Sequence, residues 1–155
     1  MRELDLSAGA DSPALRALIG TEVAVSNWMA MPQSRIDTFA DATDDHQWIH
    51  VDAARCELES PFRKPVAHGF LTLSLIPALF ADAIALTGAK MVLNYGLNKV
   101  RFPAPVPVDS RVRARITLAA LDAVEGAVQL TWNVVIECEG STRPVCVAEM
   151  LMRRY

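Results

Sequence analysis

Residues 68–88 read HGFLTLSLIPALFADAIALTG, a run that is apolar on nearly every side of a helix. A helix greasy all round must be enclosed, by lipid or by the rest of its own chain. A membrane span needs about 20 predominantly apolar residues. Here His68 opens the run, Pro77 and Asp82 interrupt it, and Gly88 stands as a natural C′ stop. The better reading is a buried helix from Phe70 to Leu86 in a protein with no membrane association.

The remaining chain must therefore build a jacket for that helix. With 155 residues it is long enough for one domain with a core that needs no staples. Hydrophobic residues make up 52% and charged residues 21%, which excludes a disordered segment. A net charge of −3 argues against a nucleic-acid binder held by a basic field. Cys56, Cys138 and Cys146 are odd in number and form no C-x-x-C pair. That disfavours a disulfide scaffold or a zinc site and fits a reducing cytosol. The acidic start MRELDLSAGADS has no apolar signal-peptide core, so a cytoplasmic location is expected. No repeat or linker divides the chain. Residues 1–155 read as a single domain, with the first 20 or so an extension.

Periodicity splits the domain in two. Residues 13–19 suggest a short helix with Pro13 in its first turn, and residues 21–30 a strand. Ile36, Phe39, Ala40 and Thr43 recur at helical spacing, and Asp52 is placed to cap a helix over 53–59. Pro61 and Pro65 bracket a loop before the apolar helix. After Lys90 the period changes to two. Arg111, Arg113 and Arg115 alternate with Val112, Ala114 and Ile116, and Val128 to Cys138 alternates likewise. Turns fall at 107–110, Glu125-Gly126 and 139–141. One apolar helix and one antiparallel meander make an α+β domain. The sheet covers the helix only by curling around it, which is the hot-dog arrangement.

Chemistry concentrates in Phe39 to His50, FADATDDHQWIH. On one continuous helix Asp45 and His50 would sit about 140° apart. They converge only if the chain turns between them, with one helix ending near Asp44 and another starting near Asp52. The same residues also fit a polar loop in which Asp45 caps a helix end. A second segment, Ala67-His68-Gly69-Phe70, opens the buried helix. Helix N-termini present unpaired N–H groups, and glycine lets a ligand approach them. Such a donor could serve as an oxyanion hole; an ordinary helix start would look the same.

Together the two segments resemble the MaoC-like (R)-specific enoyl-CoA hydratases. The pattern D-x-x-x-x-H stands here as Asp45-His46-Gln47-Trp48-Ile49-His50, followed by A-H-G and an apolar helix. DHQWIHVD, AHGFLTLSLIP and NYGLNKVRFPAPVP are similar to the nodulation-protein-N-like branch. The resemblance covers the chain from about Ile36 onward. It implies a homodimer, or a higher oligomer, that hydrates 2-enoyl-CoA or dehydrates a 3-hydroxyacyl thioester carried on CoA or a carrier protein. It also implies Asp45 and His50 as the catalytic pair, and the Gly69 N–H as oxyanion donor. No metal or cofactor is expected, because the thioester already acidifies C2 and acyl-CoA is substrate.

Two features depart from the family pattern. Gln47-Trp48 replaces Asn-Pro, so Gln47 is a candidate to orient the pair and Trp48 to border the acyl pocket. Pro77 stands where these hydratases can carry a helix serine, which implies a kink, with Ser74 or Thr72 as substitutes. His68 reads as mainly structural, His46 as exposed, and Asp44 as a cap or a solvated group. Cys56 has no base partner and is not a nucleophile. Arg63 and Lys64, or Lys99 and Arg101, are candidates for the phosphates of coenzyme A. Two other functions stay open: a hot-dog thioesterase, in which a carboxylate attacks the carbonyl or activates water there, and a non-catalytic acyl-binding subunit.

Overall fold

The computed structural model describes residues 1–155. Its main sheet is antiparallel. Strands β2 (Glu22–Val25), β5 (Val92–Arg101), β6 (Arg111–Val124), β7 (Ala127–Cys138) and β8 (Cys146–Arg154) lie in the order β2-β6-β7-β8-β5, and β3 (Met29–Ala30) also pairs with β6. The expected strand over 21–30 is thus broken. Ser26 lies between the two pieces, and its Oγ accepts the Ala114 N–H at 2.9 Å. The β6–β7 turn is the two residues Glu125-Gly126, with Gly126 at φ 70° as a tight hairpin requires.

Period two becomes two faces. Val112, Ala114, Ile116 and Leu118 of β6, Leu130, Trp132, Val134 and Ile136 of β7, and Ala148, Met150 and Met152 of β8 are buried. The other face carries cross-strand ion pairs, Arg113–Glu137 at 2.8 Å and Arg115–Glu22 at 2.7 Å. Register shifts in β2, β5 and β6 mark bulges, which bend strands and let the sheet curl.

The buried helix is α5 (Gly69–Ser74) continued as α6 (Ile76–Ala83). Leu75 joins them in helical conformation, bonded back to Leu71 and forward to Leu79. The break falls beside Pro77, which has no N–H to offer the preceding turn. Leu79 is fully buried, and Phe80 packs edge-on against Trp132 with ring centroids 5.0 Å apart. No helix is long and apolar enough to cross a membrane.

Two expectations need correction. The helix stops at Ala83, not Leu86, and Ile84–Thr87 forms β4, parallel to β1 (Arg2–Asp5). A β-branched residue at 84 and an available partner strand outweigh helical continuity there. Gly88, at φ 69°, closes the turn after β4 instead of ending a helix, and a Cβ there would meet Asp5 and Ser7. Nor are the first residues a mere extension. Leu4, Leu6, Ala10 and Leu15 belong to the core, the last on the short helix α1 (Pro13–Arg16).

Candidate active site

Three short helices bring the site together: α2 (Gln33–Thr43), α3 (Trp48–Val51) and α4 (Ala53–Glu59). Helix α2 ends where Asp44 turns left-handed at φ 56°, a conformation Asp tolerates. The chain therefore turns between Asp45 and His50, as their convergence demands. It then makes one unforeseen helical turn, α3, which carries His50. Asp52 caps α4 through a 2.9 Å bond from the Arg55 N–H.

His50 is buried, and its Nδ1 lies 2.6 Å from the Val66 carbonyl oxygen. A carbonyl only accepts, so Nδ1 carries the proton and Nε2 of the neutral ring keeps its lone pair. Burial, and the like charge His68 would bring, hold the His50 pKa below its ordinary value. The neutral form of His50, with Nε2 unprotonated, is thereby favoured. Gln33 Nε2 donates to the His50 carbonyl at 2.8 Å and fixes its backbone.

Asp45 and His50 each offer a ligand atom within 4.8 Å of one another and of His68. The Asp45 carboxylate is half exposed while both imidazoles are buried. His68 donates from Nε2 to the Asp45 carbonyl at 2.9 Å, and its ring stacks on His50 with centroids 3.7 Å apart. Near-parallel stacked rings aim their lone pairs along separate planes. The trio is therefore poorly arranged to chelate one ion, although its residue types would suit zinc.

Gly69 follows His68 directly. As the first residue of α5 its N–H has no helical partner. A side chain there would collide with the Phe102 ring, 2.9 Å from an ideal Cβ. Gly69, Ala67, Thr72, Phe62, Phe102 and Val106 line a cavity of about 250 Å³. A second cavity of about 250 Å³, lined by Leu73, Ile76, Pro77, Gly96, Leu97 and Met150, opens between the helix break and β5.

The other expected residues take plainer places. Gln47 reaches the site through its main chain: its carbonyl accepts the His50 N–H, and its own N–H is 3.5 Å from Asp45 Oδ1. Trp48 lies under the Arg55 guanidinium at 4.4 Å, on the α4 side, and does not line the cavity beside Gly69. Arg63 donates to the Glu57 and Leu58 carbonyls, so it caps α4 rather than standing free for a phosphate. Lys64, Lys99 and Arg101 are exposed. His46 pairs with Asp41 at the surface. Cys56 is buried, with its thiol pKa raised by burial. Ser74 and Thr72 are turned back onto the Phe70 and His68 carbonyls. Sequence reasoning missed Val66, Gln33, Phe39 and Phe102. Val66 acts through a main-chain carbonyl, which no sequence motif reveals.

Residues 15–137 match the MaoC like domain. The chain belongs to the MaoC-like dehydratase family. This MaoC-like protein is 50% identical over 140 residues to 3-hydroxyacyl-thioester dehydratase Z of Mycobacterium tuberculosis, covering 90% of this chain and 92% of that one. It is 45% identical over 154 residues to nodulation protein N of Rhizobium leguminosarum bv. viciae, with 97% and 91% covered. An (R)-hydratase from A. caviae involved in PHA biosynthesis shares the fold, with a TM-score of 0.70 at 22% identity over 86% of this chain and 94% of that one.

Proposed function

We propose that this protein hydrates 2-enoyl thioesters with (R) specificity, or dehydrates 3-hydroxyacyl thioesters in reverse, using Asp45 and His50 as its acid–base pair. The observation that carries this reading is the Val66 bond to His50 Nδ1, which leaves an unprotonated Nε2 on the residue grouped with Asp45. In hydration the pair holds one water. Its oxygen adds to C3, its proton passes to the pair, and a proton is returned to C2. Negative charge gathers on the thioester oxygen in between, and the Gly69 N–H answers it. The thioester supplies the acidity at C2, so the reaction calls for neither metal nor cofactor.

The cavity beside Gly69 is where the thioester lies, and the exposed Lys64, Lys99 and Arg101 are the cations offered to a coenzyme A phosphate. We further propose a cytoplasmic homodimer. Three free, buried cysteines suit a reducing compartment, and β5 leaves one edge of the sheet unpaired.

The test follows short and medium 2-enoyl-CoA substrates with wild type and Asp45→Asn. Loss of the conjugated enoyl absorbance without thiol release, abolished in the variant, supports the reading. Release of free thiol would make the protein a thioesterase, and no reaction at all would favour an acyl-binding subunit.

A further inference from the structure

His68 does more than fill space. It is 2% exposed, with Nε2 2.9 Å from the Asp45 carbonyl oxygen. Nε2 must therefore carry a proton, and in the neutral ring Nδ1 keeps a lone pair. That Nδ1 is buried with no hydrogen-bond partner, which carries a desolvation cost. A leucine or methionine could occupy the volume without that cost. What the imidazole adds is a polar edge that ties down the Asp45 main chain and a flat face laid on His50. The ring planes differ by 25° at 3.7 Å, and Phe39 backs His68 with its centroid at 5.1 Å.

We propose that His68 is a positioning residue for this site: its Nε2–H anchors Asp45, and its stacked face fixes the plane of the His50 ring, so that one side chain sets the geometry of both reacting groups. The inference rests on the reading of Asp45 and His50 as the acid–base pair. The groups that face the stack are few. The loop after α2 brings Asp45, with Oδ2 4.0 Å from His68 Nε2, and α2 brings the neutral Phe39 and Gln33. From α4, the Cys56 thiol turns to the Trp48 and Ile49 carbonyls. Only backbone reaches His50 from Val66. His68 and His50 are thus each other's nearest titratable imidazole, and a proton on one opposes a proton on the other.

The test combines histidine nitrogen NMR with kinetics on the full chain. In wild type at neutral pH, the proton is expected on Nε2 of His68 and Nδ1 of His50. Two variants separate the contacts: His68→Phe keeps the face and loses the donor, while His68→Gln keeps a donor and loses the face. Misplacing a reacting group by about 1 Å costs on the order of 10²-fold. Each variant should therefore lower kcat on a 2-enoyl-CoA by up to that factor with little change in KM. The variant that keeps the higher kcat shows which contact dominates. In His68→Gln, which loses the stacked face, the His50 nitrogens should report loosening of the Nδ1 proton from the Val66 carbonyl. Wild-type kcat and an unchanged His50 nitrogen signature in both folded variants would overturn the proposal. So would a wild-type His68 with its proton on Nδ1, which needs no variant to detect. Should the wild type fail to act on enoyl thioesters, the acid–base reading falls. The NMR arm then still decides on His68: an unchanged His50 nitrogen signature in both variants overturns its role and a changed one supports it.

Discussion

Val66 holds the α3 turn twice: its carbonyl accepts from His50 Nδ1 at 2.6 Å, and its N–H donates to the Ile49 carbonyl at 3.0 Å. The two partners are adjacent in the chain and 16 or more residues from Val66, so the ring and its backbone are pinned to one point. The next residue, Ala67, is fastened in turn by its N–H to the Val106 carbonyl at 2.8 Å. The imidazole can neither flip nor exchange tautomers without breaking a buried bond, so in the proposed reaction it would lose little to reorganisation.

Asp45→Asn and His50→Gln should each lower kcat by roughly 10² to 10⁴. The double variant should be little worse than either one, because groups that share one water act as a unit and their losses do not add. Asp45 is half exposed, so its variant should fold normally. Steady-state rates with a 2-enoyl-CoA, beside circular dichroism, decide this. Near wild-type activity in folded Asp45→Asn would remove the pair from the chemistry.

How far the sequence reaches is visible at particular residues. The alternation at Val112 to Leu118 and Leu130 to Ile136 encoded both faces of two strands, because side-chain period and burial share one cause. The Asp52 cap, the Glu125-Gly126 turn and the need for a bend between Asp45 and His50 were legible for the same reason: each is local. The end of the buried helix was not. Ile84 to Leu86 are as apolar as the helix before them, and only the N-terminal strand, some 80 residues away, makes them β4. The site shows the same division. The chain names Asp45, His50, His68 and Gly69, but the His50 tautomer depends on a main-chain carbonyl, and the partner of Trp48 on where α4 falls.

Burial pushes the His50 pKa down, and the nearby His68 pushes the same way. The acid limb of kcat/KM should therefore fall below the ordinary histidine value of about 6.5. Stability follows the same sign. Between the unfolded and the folded pKa the unfolded chain binds the extra proton, so folding weakens as pH drops through that window. His46, raised by its bond to Asp41, has the opposite sign, but it lies at the surface, where the pair is screened. Thermal unfolding from pH 7 to 5 should show a loss that is smaller in His50→Gln. Equal slopes for both proteins would contradict this assignment.

Gly69→Ala places a methyl carbon 2.9 to 3.0 Å from three atoms of the Phe102 ring. The ring or the helix start must shift, and a shift of about 1 Å at the proposed oxyanion donor costs on the order of 10²-fold. Phe102 is 40% exposed, so Phe102→Ala is tolerable by itself and frees the space. Activity should fall in Gly69→Ala and recover in the double variant. A double variant no better than Gly69→Ala would mean that the methyl itself, not the displaced ring, blocks the site.

Trp48→Ala removes the surface on which Arg55 rests, 4.4 Å from the ring centroid. A partly exposed pair of this kind contributes about 0.5–1 kcal/mol. The variant should lose at least that much stability, since the indole is also partly buried, and leave chain-length preference unaltered. Rates across a series of 2-enoyl-CoA lengths check it, and a changed profile would put Trp48 on the acyl path after all.

Strand β5 pairs with β8 on one side and with nothing on the other. Such an edge invites another strand unless charge, proline or a cover blocks it. Here Leu93, Tyr95 and Leu97 are 43 to 54% exposed along the strand, and the apolar cleft at Pro77 and Gly96 opens beside them. Its charged side chains, Lys99 and Arg101, come only at the far end. A second copy pairing there would bury all three side chains and extend the sheet. Light scattering at micromolar concentration should therefore give a dimer. Leu97→Lys should shift it toward monomer by placing a charge in the seam, while Leu58→Lys, 77% exposed on α4, should not. A wild-type monomer, or a dimer indifferent to Leu97→Lys, would place the contact elsewhere or remove it.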